Sequence, residues 1–414
     1  MSLVPDVVIA GGGIAGSALA AVLARGNVQV AVLEHDLAPV DRVRGESLAP
    51  WGVIELRRLG LYDALVGAGG VFTNLSVPHD ENLPGEKTLP FAHRFTDLVP
   101  EVPGMLCMSH PAMCRVLAAE AEAAGAVFLR GVTDIAVTAG GTGGAPPHIG
   151  FSHGGRRIAW TPRLIVGADG RNSRVRWQLG FRLHADPPHN LLGGMLVEGV
   201  PDWPQDTQVC GTEGRTHFLV IPVGSDRVRL YLAYDFADKA TYAGPQRQQK
   251  LIETFARLTC LPQAGMIAAG RPIGPFNSFS NEDHWIDDPT APGVVLAGDA
   301  AGHNDPIIGQ GLSIALRDVR LLSEIILDGK RDQAAFRAYV EERAERMRRL
   351  RITARLRAKL HAEFGEEARQ RRQRAERRMR VDKVPSPLGA ILLGPDKLPA
   401  AIFEPSTIDA LVAP

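Results

Sequence analysis

Gly11, Gly13 and Gly16 stand in the spacing GxGxxG, and an acid, Glu34, follows about 20 residues on. Residues 6–10 and 28–33 are apolar runs of β type, and residues 17–25 read as a helix between them. A strand, a tight turn, a helix and a second strand closing on an acid are the parts of a dinucleotide site. Gly11 permits the turn, Gly13 lets backbone approach a pyrophosphate, and Gly16 lets helix and strand pack closely. Ala15 lies in the same turn. Glu34 can accept hydrogen bonds from a ribose, which favours FAD or NAD over NADP.

A second chemical stretch lies far away, at residues 298–312, reading GDAAGHNDPIIGQGL. It follows an apolar run, residues 293–297, and precedes a helix with Leu312, Leu316, Val319, Leu322 and Ile326 on one face and Gly329 past its end. Unpaired N–H groups and the positive end of the helix dipole point into such a loop and suit an anionic or accepting group. Asp299, His303 and Asp305 are its titratable groups, and Pro306 follows them. His303 and Asp305 are the candidates for moving a proton; ordinary loop hydrogen bonding is the competing account.

Three other places carry charge in a useful pattern. Arg42 and Arg44, two apart and flanked by Gly45 and Ser47, can clamp phosphate or an electron-rich ring edge, or belong to a solvated loop. Arg115 opposes the dipole near the start of a helix within residues 105–124, which points to an anionic partner or is simply an exposed arginine. Asp169-Gly170 ends the apolar strand 163–167 and opens DGRNSRVR. That is either a second ribose- or phosphate-approaching turn or a plain Asp-Gly turn. His79, His93 and Arg94 cluster with nothing and read as structural or solvated.

The elements that must position these groups fill 414 residues, enough for two packed domains. The 46 basic and 46 acidic residues balance, so charge argues for neither nucleic acid nor membrane. Cys107, Cys114, Cys210 and Cys260 form no CxxC and fit reduced thiols in a cytoplasmic protein, and no His/Cys cluster has metal-ligand spacing. The apolar stretch 7–24 resembles a leader or a membrane span, but its patterned glycines and lack of a preceding basic residue argue against both. Residues 127–160 read as three short strands with Gly-rich turns at 140–144 and 154–155. Residues 191–285 read as a mixed, mostly antiparallel sheet, with a helix at 246–258. Residues 332–380 form a long basic helical stretch, best read as a solvated helix packed on one face. Residues 384–414, rich in proline, wrap the body or move freely.

GGGIAG with Glu34, DGRNSRVR and GDAAGHNDPIIGQGL occur in the order found in FAD-dependent monooxygenases of the para-hydroxybenzoate hydroxylase type, and residues 6–327 resemble that family. The resemblance implies an α/β fold: a Rossmann-like FAD-binding domain interdigitated with a mixed, mostly antiparallel substrate sheet, plus a long C-terminal helix. It divides the chain into residues 1–180 and 286–330 for FAD, with substrate-side strands within 71–100. Residues 181–285 form the substrate sheet and residues 331–414 the C-terminal region. It also implies that Asp299 holds the flavin ribityl chain, that Arg44 and Arg115 contact FAD, and that Asp169, Gly170, Ser173 and Arg176 serve FAD and NADPH. Gly311, Leu312 and Ser313 would stand at the flavin ring. NADH or NADPH would bind transiently as reductant. A flavin C4a-hydroperoxide would pass one oxygen atom to an aromatic or conjugated small molecule. Departures are Gly302 and His303 where GDAAH is usual, and Ser313 where asparagine is usual. Arg44-Gly45-Glu46-Ser47-Leu48 also resembles the RGExL stretch of flavin halogenases and prenyl reductases, but the halogenase WxWxIP is absent. A flavin reductase of the prenyl type, and a nonenzymatic flavin- or anion-binding protein, are the alternatives.

Overall fold

The computed structural model describes residues 4–83, 85–141 and 144–413. Fully apolar strands must be covered on both faces, and here they form a six-stranded sheet. Its order is Thr290–Ala291, Val294–Leu296, Leu164–Gly167, Val7–Ala10, Val30–Glu34 and Val127–Arg130. All its pairings are parallel except that of Thr290–Ala291. The helix Ile14–Arg25 starts three residues earlier than its pattern indicates, directly after Gly13, and packs against the helices His110–Ala123 and Gly311–Leu327.

The three-stranded meander is formed by Thr133–Thr138, His148–His153 and Arg156–Trp160. Val127–Arg130, expected in that meander, joins the main sheet instead. Residues 142 and 143 of the Gly-rich turn at 140–144 lie outside the described residues.

A second sheet has seven strands, in the order Arg271–Asn281, Asn190–Glu198, Val228–Tyr234, Thr216–Pro222, Thr207–Glu213, Leu75–Asp80 and His93–Arg94. The first five pair antiparallel, and Leu75–Asp80 joins parallel to Thr207–Glu213. One face of this sheet packs on the helices Arg247–Ala256 and Ala264–Ala269, with Phe218, Leu230, Leu232, Leu251 and Phe255 in the core.

The basic stretch is two helices, Arg337–His361 and Glu366–Arg380, broken at Gly365, whose φ is +96°. The first helix is packed on one face, as its reading expects, but that face carries arginines. Arg343, Arg346 and Arg372 are buried. Arg343 and Arg346 reach Asp318 of the helix Gly311–Leu327 at 3.1 and 2.6 Å. Arg372 pairs with Asp80 and Glu81 of the second sheet at 2.6 and 2.7 Å. The tail beyond residue 384 is ordered into short turns and the helix Pro405–Val412, with Leu411 buried against Leu356 and Leu360. No helix among the described residues is long and apolar enough to cross a membrane.

Burial alone would raise the pKa of Asp318, but the two guanidiniums and the Gly298 N–H hold it below the ordinary carboxylate range. Asp318→Asn would leave two buried cations without their shared anion, so it should cost about 3–5 kcal/mol. Urea unfolding of the variant against the parent measures this; a loss below about 1 kcal/mol would show that water or Glu342 replaces the missing charge.

Candidate functional site

One cavity of about 1260 Å³ joins the two sheets. At one end its walls are the glycine turn with Ile14 and Ala15, Glu34, Arg42, Arg44, Arg115, Asp169, Asp299, Gly311 and Leu312. At the other they are side chains of the seven-stranded sheet and the C-terminal tail.

The glycine turn separates two jobs. A Cβ on Gly16 would lie 1.9 Å from the Gly11 carbonyl oxygen, so this glycine is set by packing within the protein. A Cβ on Gly13 would meet nothing within 4 Å, so this glycine leaves its space to a ligand. Glu34 accepts the Gly12 N–H at 2.5 Å and the Asp36 N–H at 2.8 Å, which fixes the turn against the second strand. Arg42 pairs with Asp36 at 2.8 Å. Arg44 is half-buried, and its guanidinium carbon lies 5.9 Å from the Phe279 ring centre, as does that of Arg171. Arg115 is exposed at the rim.

The DGRNSRVR stretch is a brace. Asp169 caps the helix Arg174–Gln178, accepting from Ser173 Oγ at 2.5 Å and the Arg174 N–H at 2.7 Å. Ser173 accepts the Arg176 N–H at 3.0 Å. Arg176 donates to the Ala300 carbonyl at 3.1 Å, and Arg171 reaches Asp299 at 3.3 Å. The second motif therefore grips the third.

Three residues named from the sequence do not line the cavity. His303 is buried facing His284, with ring nitrogens 3.1 Å apart, and does not line the cavity. Asp305 is turned to His189, at 2.5 Å, and caps the Ile307 N–H at 2.8 Å, so it too is absent from the lining. Pro306 does line the cavity, along with Asn304. Ser313 is buried against Gly52 and faces away from the cavity. Sequence places these residues in the right loop, but the direction of each side chain depends on the turn 306–308 and on Asp283 and His189 beneath it.

Sequence reading missed a buried network next to Arg44. Tyr231 donates to Glu46, and Arg229 lies 3.0 Å from Glu46 and 2.9 Å from Asp41. Burial raises the Glu46 pKa, and Arg229 offsets part of that. The RGE run was its visible half; the partners lie more than 180 residues away. His110 packs under Gly45, and burial together with Arg44 pushes its pKa down to about 4. Glu282, His284 and His303 bring donor atoms within 4.8 Å of one another, a grouping their sequence spacing conceals. Within this group the two rings are hydrogen-bonded to each other, and Glu282 accepts from Ser280 Oγ.

A family model described as FAD binding domain matches residues 5–354. The chain belongs to that family. The open space at Gly13, the first-turn N–H groups beside it and Asp299 across the cavity fit FAD. Squalene monooxygenase of Mus musculus is 26% identical over 350 residues, covering 78% of this chain and 55% of the relative. The 6-methylpretetramide 4-monooxygenase of Streptomyces rimosus is 26% identical over 333 residues, covering 80% of this chain and 57% of the relative. The chain thus spans little more than half the length of these relatives. The fold is shared with p-nitrophenol 4-monooxygenase of Pseudomonas putida, at TM-score 0.78 and 17% identity over 99% of both chains. It is also shared with a flavin-dependent halogenase, at TM-score 0.73 and 18% identity over 90% of this chain and 68% of the other.

Compared with the flavin-free parent, Gly13→Val should melt at the same temperature and fail to take up FAD, whereas Gly16→Ala should lose about 1–3 kcal/mol of stability from overpacking. Asp299→Ala should also weaken FAD retention. Flavin absorbance after desalting, beside a melting curve, separates these outcomes; full FAD retention in Gly13→Val would move the cofactor elsewhere.

His303 gives a pH prediction. Burial, helped by Arg171, pushes its pKa down to about 3. In the unfolded chain a histidine takes a proton near 6.5, so between these values the unfolded state binds more protons. Stability then falls as pH drops from 6.5, by up to about 1.4 kcal/mol per unit from this group. Unfolding of His303→Asn at pH 7.5 and pH 5 should show a shallower loss than the parent; equal losses would mean that His303 protonates in the folded state.

Proposed function

We propose that this chain is an FAD-dependent monooxygenase that takes electrons from NADH or NADPH and uses O2 to place one oxygen atom on an apolar aromatic or conjugated small molecule. The carrying observation is the continuity of the cavity: a dinucleotide cradle opens, with no wall between, into a chamber whose walls combine aliphatic and aromatic side chains with a few polar ones. The monooxygenase names of the curated relatives support the same reading.

FAD supplies the redox and oxygen chemistry when bound. The chain's part is holding, orienting and drying. The Gly11–Gly16 turn would hold the pyrophosphate, Glu34 the adenosine ribose and Asp299 the ribityl chain. Pro306 to Leu312 would border the ring, where the N-terminus of the helix Gly311–Leu327 would offer its free N–H groups to negative charge. Arg44 adds a fixed cation on that side. Met105, Leu192, Leu219 and Ile221 exclude water from the reacting face. The division into an FAD part, a substrate sheet and a C-terminal region follows the same logic, with the strands Leu75–Asp80 and His93–Arg94 serving the substrate sheet.

The purified FAD-loaded protein, given NADH or NADPH and a panel of apolar aromatic and polyene compounds under ¹⁸O2, should consume reductant and oxygen together. It should leave one labelled oxygen in the product. Turnover that yields a reduced product without label would replace the monooxygenase with a reductase.

A further inference from the structure

The far end of the chamber carries a charge that the proposed chemistry does not use. The chamber floor is one face of the seven-stranded sheet. Tyr231, Leu219 and Cys210 lie side by side in register on it, and Gln208, Ser76 and His93 form the next row. Phe279 and Arg44 mark the flavin end. The strand of Cys210 is four strands from that of Phe279, roughly 20 Å along the sheet. There Arg357, reaching down from the helix Arg337–His361, lines the cavity with its Nη2 at 3.6 Å from Cys210 Sγ.

Arg357 forms no ion pair among the described residues, although the cations around it are engaged. Arg372 holds Asp80 and Glu81, and the Arg380 guanidinium lies over the Phe91 ring. The imidazoles of His217 and His361 are pushed well below their ordinary range by burial and then by Arg357, and His93 is lowered by burial with help from Arg380 and Arg357. All three are therefore neutral near pH 7. Glu376, whose pKa burial raises, feels this charge but forms no ion pair with Arg357. The side-chain partner of this guanidinium is the Cys210 thiol, and a thiol meets little of its hydrogen-bonding demand. Leaving a half-buried cation in that state is costly unless a ligand or water completes it.

We infer that Arg357 is the anchor for an anionic oxygen group, such as a carboxylate, at one end of an elongated apolar substrate whose other end lies against Phe279 and the flavin loop. This rests on the monooxygenase reading for the role of the chamber, but not for the binding itself. Arg357 is a positioning and specificity residue: it fixes which end of the molecule enters first and how far it travels.

The test is a fluorescence titration of the FAD-loaded protein with cis-parinaric acid, a conjugated polyene carboxylate, and with its methyl ester. The acid is ionised at pH 7.5. A charge-assisted pair should make the acid bind about tenfold or more tighter than the ester. Arg357→Leu should remove that advantage by weakening the acid while leaving the ester unchanged, and Arg357→Lys should keep part of it. Leu219→Trp, which fills the chamber, should abolish binding of both. Equal affinities in the parent, no binding of either probe, or an acid preference that survives in Arg357→Leu would each overturn the anchor. Oxygen uptake with NADH or NADPH is read separately: an Arg357-dependent preference without oxygen chemistry would sink the monooxygenase reading and leave the anchor standing.

Discussion

Asp318 is a wholly buried carboxylate, and the loop that begins at Gly298 depends on it. One of its oxygens accepts the Gly298 N–H at 2.8 Å, and the same oxygen meets Arg343 at 3.1 Å. Arg343 then donates to the carbonyls of Gly298, Ala301 and Gly302. A turn such as 298–302 cannot satisfy its own backbone, and unpaired buried carbonyls are expensive. One guanidinium resolves several of them at once because its donors diverge in a plane. Removing either charge strands the other, so the helix Arg337–His361 is bound to the loop 298–302 by electrostatic necessity as well as by packing.

That clamp has a counterpart on the other side of the loop. Arg176 grips the Ala300 carbonyl, and Arg171 reaches the Asp299 carboxylate. The turn carrying Asp299 is therefore held from below by the C-terminal helix and from the side by the DGRNSRVR helix. Asp169 and Ser173 spend their hydrogen bonds capping that helix, which places their contribution in the brace. A site that must hold a flexible dinucleotide gains from such pre-organisation, since ordering the loop costs nothing further when the ligand arrives.

How much of this was legible follows from how each part is encoded. The glycine turn, Glu34 and the apolar face of the helix Gly311–Leu327 were readable because backbone conformation and helical period leave local marks. Arg343 and Arg346 were not, because a basic stretch looks alike whether its arginines face water or a buried acid. His303 and Asp305 were assigned from their neighbours in sequence, yet Asp283, His189 and His284, all distant in sequence, set where they point. The Glu46, Tyr231 and Arg229 network had one visible half, the RGE run, while its other half sits on a strand with no motif. Arg357 carried no signal beyond its charge.

The two ends of the cavity are thus built by different means. The cofactor end uses backbone N–H groups, glycines and braced turns, so its chemistry is written in short motifs. The substrate end uses side chains alternating along strands, together with Leu388, Ile391 and Leu392 of the tail, drawn from segments up to hundreds of residues apart. A strand's inward residues change with a single-residue shift in register, so no short motif can specify such a wall. The same division explains why family membership is plain at the FAD end while substrate selection rests on isolated side chains. Among those, the charged ones discriminate most, because an apolar wall separates ligands weakly by size whereas an unmatched charge is penalised strongly.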